Sequence, residues 1–241
     1  YAFTLPPCAI KPHTESKGFV EALGLDAFKL FKQRKMALFF IFSMFLGVSL
    51  QITNGYANPF ISSFAAMPEY QDVYFVDHAN LLISLSQISE TLCILLIPFF
   101  LKRYGIKRVM LIAMVAWAFR FGFFAIGNPS FPAVTWFILS MIVYGVAFDF
   151  FNISGSLFVN NETDSGIRSS AQGLFMIMTN GIGASIGMLI AQAVVNNFTY
   201  SQEAGGQFYT VGEWPIVWGI FAAYALLVAI FFALIFKEKN Q

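Results

Sequence analysis

The stretch MALFFIFSMFLGVSLQITNGYANPF, residues 36–60, contains no charged residue. A helix needs about 20 mainly apolar residues to cross a hydrocarbon core about 30 Å thick. In lipid every backbone polar group must be hydrogen-bonded within the segment, and a helix meets that condition. The stretch therefore predicts a membrane-spanning helix, in which the polar residues Gln51 and Asn54 need a separate explanation.

Five further segments have the same length and apolar character. The six predicted spans run from Met36 to Phe60, Asn80 to Leu101, Val109 to Ile126, Pro132 to Phe158, Ala171 to Val195 and Pro215 to Phe236. The composition agrees, since 58% of the residues are hydrophobic and 11% are charged, whereas a soluble domain has about 25% charged residues. We therefore expect an all-α membrane protein. Its net charge of +1 gives no support to nucleic-acid binding.

The positions of Lys and Arg predict the orientation of the spans, because these residues favour cytoplasmic loops. Of the fourteen, all but Arg120 flank alternate ends of the predicted spans, at 11–35, at 102–108, at Arg168 and at 237–239. The intervening loops contain none. The pattern predicts an integral, multi-pass protein of the cytoplasmic (inner) membrane, with both ends of this chain cytoplasmic.

Residues 1–35 are predicted to precede the six-helix unit, which occupies residues 36–241. The opening YAFTLPPC, residues 1–8, is too short for a signal peptide and is interpreted as the end of a preceding helix. The following LGLDAFKLFKQRK, residues 23–35, has apolar residues at helical spacing and a basic face. It predicts either an amphipathic helix on the cytoplasmic surface or a simple linker.

Three charged residues lie inside the predicted spans, namely Glu90, Arg120 and Asp149. At a rise of 1.5 Å per residue they lie roughly 13 to 18 Å from the cytoplasmic ends of their helices, near the middle of the membrane. A charge at that depth is costly and usually has a function. These three residues are therefore the first candidates for a functional site.

Further polar and aromatic residues share this depth at helical spacing. The candidate ligand-binding layer consists of Gln51, Asn54, Gln87, Glu90, Tyr144 and Phe148. Within each span these residues are three or four positions apart and share a helix face. Amides and a carboxylate can bond a polar ligand, and rings can stack on a planar one. The amides could instead join neighbouring helices by hydrogen bonds, and both interpretations stay open.

Glu90 and Asp149 are the candidate proton carriers. A carboxylate that is removed from water costs several kcal/mol unless it is paired or protonated, so a proton is a natural partner. Arg120 is either their counter-ion or a ligand contact. Gly181, Gly183 and Gly187 in the fifth predicted span form a small-residue face, which favours close helix packing or, alternatively, a gating hinge.

Several strings resemble the nucleoside permeases of the nucleoside:proton symporter family, within the major facilitator superfamily. They cover nearly the whole chain: YAFTLP (1–6), LGLDAF (23–28), MALFFIFSM (36–44), LQITN (50–54), SQISETL (86–92), IPFFLKRYGIKRVM (97–110), SMIVYGVAFDFFNISGS (140–156), GIRSSAQG (166–173) and MTNG (178–181). The loop 198–214 matches the family poorly.

The resemblance implies a twelve-helix fold of two six-helix halves, of which this chain is the C-terminal half and a fragment of a longer chain. It implies proton-coupled nucleoside import by a monomer, with nucleoside and protons as partners besides membrane lipid, and with a missing N-terminal half that completes the site. The six residues of the candidate layer match the family's nucleoside contacts, and Asp149 matches an acidic position beside them. No cofactor and no metal are expected.

Two other classes remain open from the sequence. A sugar or another polar metabolite would use the same fold and the same amides. A receptor or an intramembrane enzyme is the other alternative, although the chain has no paired-histidine metal motif and no G-x-S-x-G. It also has no G-x-x-x-x-G-K-[ST] motif for nucleotide binding, so we predict a transporter driven by a proton gradient and not an enzyme.

Overall fold

The computed structural model describes residues 24–70 and 73–236. The predicted end of a preceding helix at residues 1–8 and the last basic residues, Lys237 and Lys239, lie outside these ranges. Within them the chain is a bundle of long helices with one small hairpin.

Seven α-helices and two strands follow one another along the described residues. They are α1 (Arg34–Ser63), α2 (Tyr74–Asp77), α3 (Ala79–Ile126), α4 (Val134–Glu162), α5 (Arg168–Met176), α6 (Ala184–Phe198), β1 (Thr199–Ala204), β2 (Gln207–Gly212) and α7 (Trp214–Ile235). A π-helical turn, Ile177–Gly183, joins α5 to α6 as one continuous rod. Short 3₁₀ helices occupy Leu25–Lys32, Phe64–Ala66 and Pro68–Tyr70.

Five helical segments of the described chain are long and apolar enough to cross a membrane, where six spans were predicted. The difference arises at α3, which contains both the second and the third predicted spans. A straight helix of its 48 residues would be about 72 Å long, more than twice the thickness of a hydrocarbon core of about 30 Å.

The helix α3 is interrupted at Gly105, whose φ of 77° and ψ of 169° are not helical. A glycine adopts this positive φ at little steric cost. On a straight helix Glu90 and Arg120 would lie about 45 Å apart, yet both line one cavity. The chain therefore reverses at Gly105, and α3 consists of two arms, 79–104 and 106–126.

The helix ends differ from the predicted ones by a few residues. α1 begins two residues earlier and ends three residues later than predicted, and α4 begins at Val134 instead of Pro132. The larger difference is the loop 196–213, which carries the antiparallel hairpin β1–β2. Its two-residue turn is Gly205–Gly206, both with positive φ, as tight hairpin turns require. The prediction of a purely helical chain missed this hairpin.

Two features pack the bundle. The first is an aromatic core at one end, where the Phe60 ring lies 5.2 to 5.6 Å from the rings of Trp214, Trp218, Phe124 and Phe137. The second is close backbone approach at glycines. A Cβ atom on Gly145 would lie 2.6 Å from the Ser89 backbone, so α4 packs directly against the first arm of α3.

Two of the three glycines of the predicted small-residue face, Gly183 and Gly187, face α1. A Cβ atom on Gly183 would lie 2.4 Å from the Met44 carbonyl oxygen, and one on Gly187 would lie 2.8 Å from the Val48 Cα atom. Gly181 is exposed, and a Cβ there would meet only the Ile177 side chain at 3.7 Å. Gly183 and Gly187 therefore allow close packing of two helices, as the small-residue face predicted.

The basic segment before α1 is a 3₁₀ helix, Leu25–Lys32. Ala27 and Leu30 are buried against the bundle, whereas Phe28 and Lys29 are exposed. The segment thus has a face that packs on the protein and a mixed apolar and basic face that does not.

Candidate functional site

A cavity of about 400 Å³ lies between α1, the first arm of α3, the second arm of α3 and α4. Most of its lining is polar, although these helices are among the most apolar segments of the chain. The polar lining residues are Thr53, Asn54, Asn58, Asn80, Ser86, Gln87, Glu90, Arg120 and Tyr144. We call this space the central cavity.

Helical spacing brings the polar groups of each helix to one face. On α3, Asn80, Gln87 and Glu90 are seven and three residues apart, and on α1 Asn54 and Asn58 are four apart. Residues at these separations lie on the same side of a helix. Asn54 and Gln87 are exposed and Glu90 is half-buried, so two helices present amides and a carboxylate to one space.

Arg120 lies behind this face and is almost completely buried. Its Nε atom donates to the Thr53 hydroxyl at 3.3 Å, and its Nη1 atom donates to the Ser140 carbonyl oxygen at 2.8 Å. The Ser140 hydroxyl in turn donates to the Arg120 carbonyl oxygen at 3.0 Å. The guanidinium therefore joins α1, the second arm of α3 and α4.

The same guanidinium supports the aromatic wall of the cavity. It lies 4.3 Å from the centroid of the Tyr144 ring, a cation–π contact. The Tyr144 and Phe148 rings are parallel within 1° with centroids 5.8 Å apart, and Trp117 meets Tyr144 edge-on at 5.7 Å. These contacts orient the Tyr144 ring, whose phenolic edge lines the cavity.

Glu90 lines the central cavity together with Arg120 and Tyr144. The two ion pairs within the described residues are Lys29–Asp26 and Lys35–Glu162, so Arg120 forms no direct ion pair there. The role of counter-ion predicted for Arg120 stays a prediction. In that role the guanidinium attracts the Glu90 carboxylate without a direct contact, while it donates hydrogen bonds to Thr53 and Ser140.

Asp149 is buried on α4, next to Phe148 in sequence. Its Oδ2 atom has no hydrogen-bond partner among the residues that the structure describes. The close contact between Gly145 and the Ser89 backbone, next to Glu90 in sequence, brings the first arm of α3 against α4 one turn before Asp149. A buried carboxylate with an unpartnered oxygen is costly when charged, and adding a proton removes that charge.

The structure brings together four of the six residues of the candidate layer around the central cavity: Asn54, Gln87, Glu90 and Tyr144. Gln51 is half-buried one turn before Asn54 and is not part of the lining. Phe148 contributes by stacking on Tyr144 rather than by lining the cavity itself.

Sequence reasoning missed two of the amide side chains. Asn58 and Asn80 line the central cavity, and the Asn58 amide nitrogen lies 3.4 Å from the Asn80 Oδ1 atom. The missed signal was helical spacing, because Asn58 lies one turn beyond Asn54 and Asn80 two turns before Gln87. Both residues extend the polar face along the helices.

The chain was compared with known proteins. A sequence profile of the family described as Nucleoside H+ symporter matches residues 1–241. The xanthosine permease of Escherichia coli (strain K12) is 51% identical over 241 residues. The nucleoside permease NupG of the same strain is 48% identical over 240 residues. This chain is covered completely in both comparisons and spans 56% of the length of each relative.

Two solved structures are similar over nearly the whole chain. A crystal structure of an aspartate-to-alanine mutant of the nucleoside transporter NupG superposes with a TM-score of 0.85, and a second crystal structure of NupG superposes with 0.81. Both are 48% identical to this chain and cover 98% of it, while the chain covers 56% of theirs.

Proposed function

Because the chain belongs to the nucleoside H+ symporter family, we propose that it forms one wall of the path by which a longer protein imports nucleosides together with protons. The relatives named as nucleoside and xanthosine permeases support nucleosides as the substrate class. Their greater length supports a second part of the protein that faces the central cavity from the opposite side.

The proposed architecture is the C-terminal six-helix half of a twelve-helix major facilitator fold. Each arm of α3, 79–104 and 106–126, is long enough to cross a hydrocarbon core of about 30 Å, so the five apolar segments amount to six spans. The basic residues at 102–108 then mark a cytoplasmic reversal. Both ends of the chain lie on the cytoplasmic side of the inner membrane, and the working protein is a monomer.

The observation that carries the proposal is the polar face of the central cavity. Asn54 and Gln87 are exposed on membrane-spanning helices, and Glu90 and the buried Arg120 line the same cavity. Such groups are too costly to face lipid. They therefore face a water-filled path and a polar ligand, at the depth where transporters of this kind bind their substrates.

In the proposed binding mode Asn54, Gln87 and Glu90 bond the hydroxyls of the ribose and the polar edge of the base. The amides offer both donors and acceptors, and the carboxylate accepts from hydroxyls. Tyr144 presents its ring to the planar base, and Phe148 holds that ring in place by stacking on it. Gln51 does not line the central cavity. It contacts the nucleoside only if the opposite half of the protein positions the nucleoside against it.

Protons are proposed to act through Glu90 and Asp149. The two carboxylates lie on helices that pack directly against each other, so a proton on one lowers the cost of a charge on the other. Loading a proton from the outer side favours the substrate-bound bundle, and losing it to the cytoplasm favours release. Rocking of this half against the other exposes the cavity to each side in turn, without a cofactor.

The test is uptake of radiolabelled uridine and adenosine into cells that express the full-length protein. Uptake should fall to background when an uncoupler abolishes the proton gradient, and Glu90→Gln should lower it at least tenfold. Asp164→Asn serves as the matched control, because Asp164 is exposed in the turn between α4 and α5, and its uptake should equal that of the parent.

Ribose and other sugars should not compete with uridine at concentrations at which adenosine does. Competition by sugars that equals competition by nucleosides would contradict the proposed substrate class. Full uptake in both Glu90→Gln and Asp149→Asn would contradict the proposed role of the carboxylates.

A further inference from the structure

A second cavity, of about 640 Å³, lies where β2 packs against the end of α1 and the short helix α2. Its volume is within the range of about 300 to 1,000 Å³ that is typical of small-molecule sites. Asn58 and Ser62 of α1, Asp77 of α2 and Gln207 and Tyr209 of β2 supply its polar lining. We call this space the outer cavity.

The outer cavity and the central cavity share a polar lining residue. Asn58 lines both of them. Its amide nitrogen faces the Asn80 Oδ1 atom of the central cavity at 3.4 Å, and its Oδ1 atom accepts from the Ser62 hydroxyl of the outer cavity at 3.1 Å. A polar ligand that leaves one cavity therefore meets hydrogen-bonding groups all the way to the other.

The hairpin wall of the outer cavity is firmly held. Val211 of β2 is buried, and the Trp214 indole nitrogen donates to the Thr210 carbonyl oxygen at 3.0 Å. A Cβ atom on Gly212 would lie 2.4 Å from the Phe198 carbonyl oxygen, so the base of the hairpin closes tightly on the end of α6. The cavity is thus preformed, which lowers the entropic cost of binding.

The lining chemistry favours an uncharged ligand with a planar ring and hydroxyl groups. Phe208 is 74% exposed at the rim of the cavity, where its ring can stack on a base. The Asp77 carboxylate can accept from ribose hydroxyls, and the Gln207 amide can meet the edge of the base. No Lys or Arg belongs to the lining in the described part of the chain, so a phosphate beside Asp77 would be repelled.

Residues 169–236, which include the hairpin, contain no Lys or Arg. The hairpin end of the bundle is therefore the non-cytoplasmic side in the topology proposed above. A solute that arrives from outside meets the outer cavity before it meets the central one.

From these observations we propose that the outer cavity is a second nucleoside-binding site, which receives the substrate and passes it along Asn58 to the central cavity. The inference rests on the nucleoside transport proposed above. The outer site binds nucleosides more weakly than the central site, because it has one exposed ring and remains open, and it discriminates against nucleotides.

The experiment is equilibrium binding of radiolabelled uridine to the purified full-length protein, together with uptake kinetics. Binding should show two saturable components. Glu90→Gln should remove the tighter component, and Phe208→Ala should remove the weaker one. Phe208→Ala should also raise the KM for uptake about five- to tenfold, the lower range for one base–aromatic stacking contact, with kcat within about twofold of the parent.

Two control variants lie on the same hairpin. Tyr200 of β1 is exposed and does not line the outer cavity, so Tyr200→Ala should leave both binding components and the KM unchanged. Asp77→Asn should weaken the outer component. Glu203→Gln should not, because Glu203 is paired with Phe208 across the hairpin but does not line the outer cavity. Uridine monophosphate should fail to displace uridine from the outer component.

The outcomes separate this inference from the proposed function. A single binding component that Glu90→Gln abolishes would overturn the outer site and leave nucleoside transport standing. Equal losses of the weaker binding component in Phe208→Ala and Tyr200→Ala would overturn the site as well, since both losses would then come from a disturbed hairpin fold. Absence of any uridine binding would overturn both proposals.

Discussion

The region around Arg120 and the region around Asp149 each hold a buried charged residue of the same helix bundle, yet they satisfy it very differently. The Arg120 guanidinium donates to Thr53 and Ser140 and lies over the Tyr144 ring. The Asp149 Oδ2 atom has no hydrogen-bond partner among the described residues. Buried polar groups are normally satisfied, and an exception calls for an explanation.

The difference indicates a division of roles between the two regions. The Arg120 guanidinium donates hydrogen bonds from the second arm of α3 to α1 and α4. It therefore stabilises one arrangement of these helices, and its removal is costly. A carboxylate with an open oxygen gains from a proton or a ligand and so can change state during a transport cycle. We therefore propose that Arg120 stabilises the helix bundle and that Asp149 gains and loses a proton. Four predictions, two of them with a matched variant, test this comparison.

Removing the Arg120 guanidinium should have the largest effect. In Arg120→Met the Thr53 hydroxyl and the Ser140 carbonyl oxygen each lose a buried partner, which costs about 1 to 3 kcal/mol per group. We expect the free energy of unfolding to fall by about 2 to 4 kcal/mol, with loss of both yield and uptake. The measurement is the melting temperature of the purified full-length protein, followed by size-exclusion chromatography after heating.

The matched variant is Arg120→Lys, which keeps the positive charge but replaces the planar fork by a single ammonium group. Arg120→Lys should recover only part of the stability that Arg120→Met loses, because one ammonium group cannot bond Thr53 and Ser140 in the same geometry. A normal melting temperature for Arg120→Met would mean that Arg120 is not part of the scaffold, and it would favour a direct role in charge coupling.

Neutralising the carboxylate of the other region should separate stability from transport. Asp149→Asn keeps the size of the side chain and removes the cost of a buried charge, so the melting temperature should be unchanged or higher. Uptake driven by the proton gradient should nevertheless fall at least tenfold. A parallel loss of stability would show instead that Asp149 has a structural role like that of Arg120.

The sequence alone predicted long apolar helices, of which the described residues contain five where six were predicted, and it predicted that Glu90, Tyr144 and Arg120 share one depth in the membrane. Both successes have the same cause, since lipid as a solvent permits few folds and makes polar groups at mid-depth conspicuous. The predicted basic turn at 102–108 coincides with the reversal at Gly105. Close packing at Gly183 and Gly187 was also predicted from their spacing, because small residues mark close helix contacts.

Other features depend on information that spacing does not contain. The hydrogen-bond partners of Arg120 depend on the rotation of α4, which brings the Ser140 carbonyl oxygen within reach. The hairpin 199–212 was missed because its polar residues resemble those of an ordinary loop, although Gly205–Gly206 is a typical hairpin turn signal. Gln51 shares a helix with Asn54 but does not reach the cavity.

A smaller loss of stability is expected from a substitution at Gly183, which packs against α1, the helix that carries Thr53. Gly183→Ala would place a Cβ atom 2.4 Å from the Met44 carbonyl oxygen, and such overpacking costs about 1 to 3 kcal/mol. Gly181→Ala is the control, because its Cβ would make an ordinary contact at 3.7 Å, and it should change stability by less than about 0.5 kcal/mol. Equal melting temperatures for the two variants would favour a hinge over packing.

The smallest effect should come from Thr53→Ala, which removes the hydrogen bond of the Arg120 Nε atom and leaves the bond to the Ser140 carbonyl oxygen intact. The expected loss is about 0.5 to 1.5 kcal/mol, the net value of a single buried hydrogen bond. In Arg120→Met the bond is already absent, so adding Thr53→Ala should then cost less than it does in the parent. Such a double-mutant cycle isolates the coupling between the two side chains. Full additivity would mean that the 3.3 Å contact contributes nothing, and any stabilisation by Arg120 would then come from its other contacts, among them the Ser140 carbonyl oxygen and the Tyr144 ring.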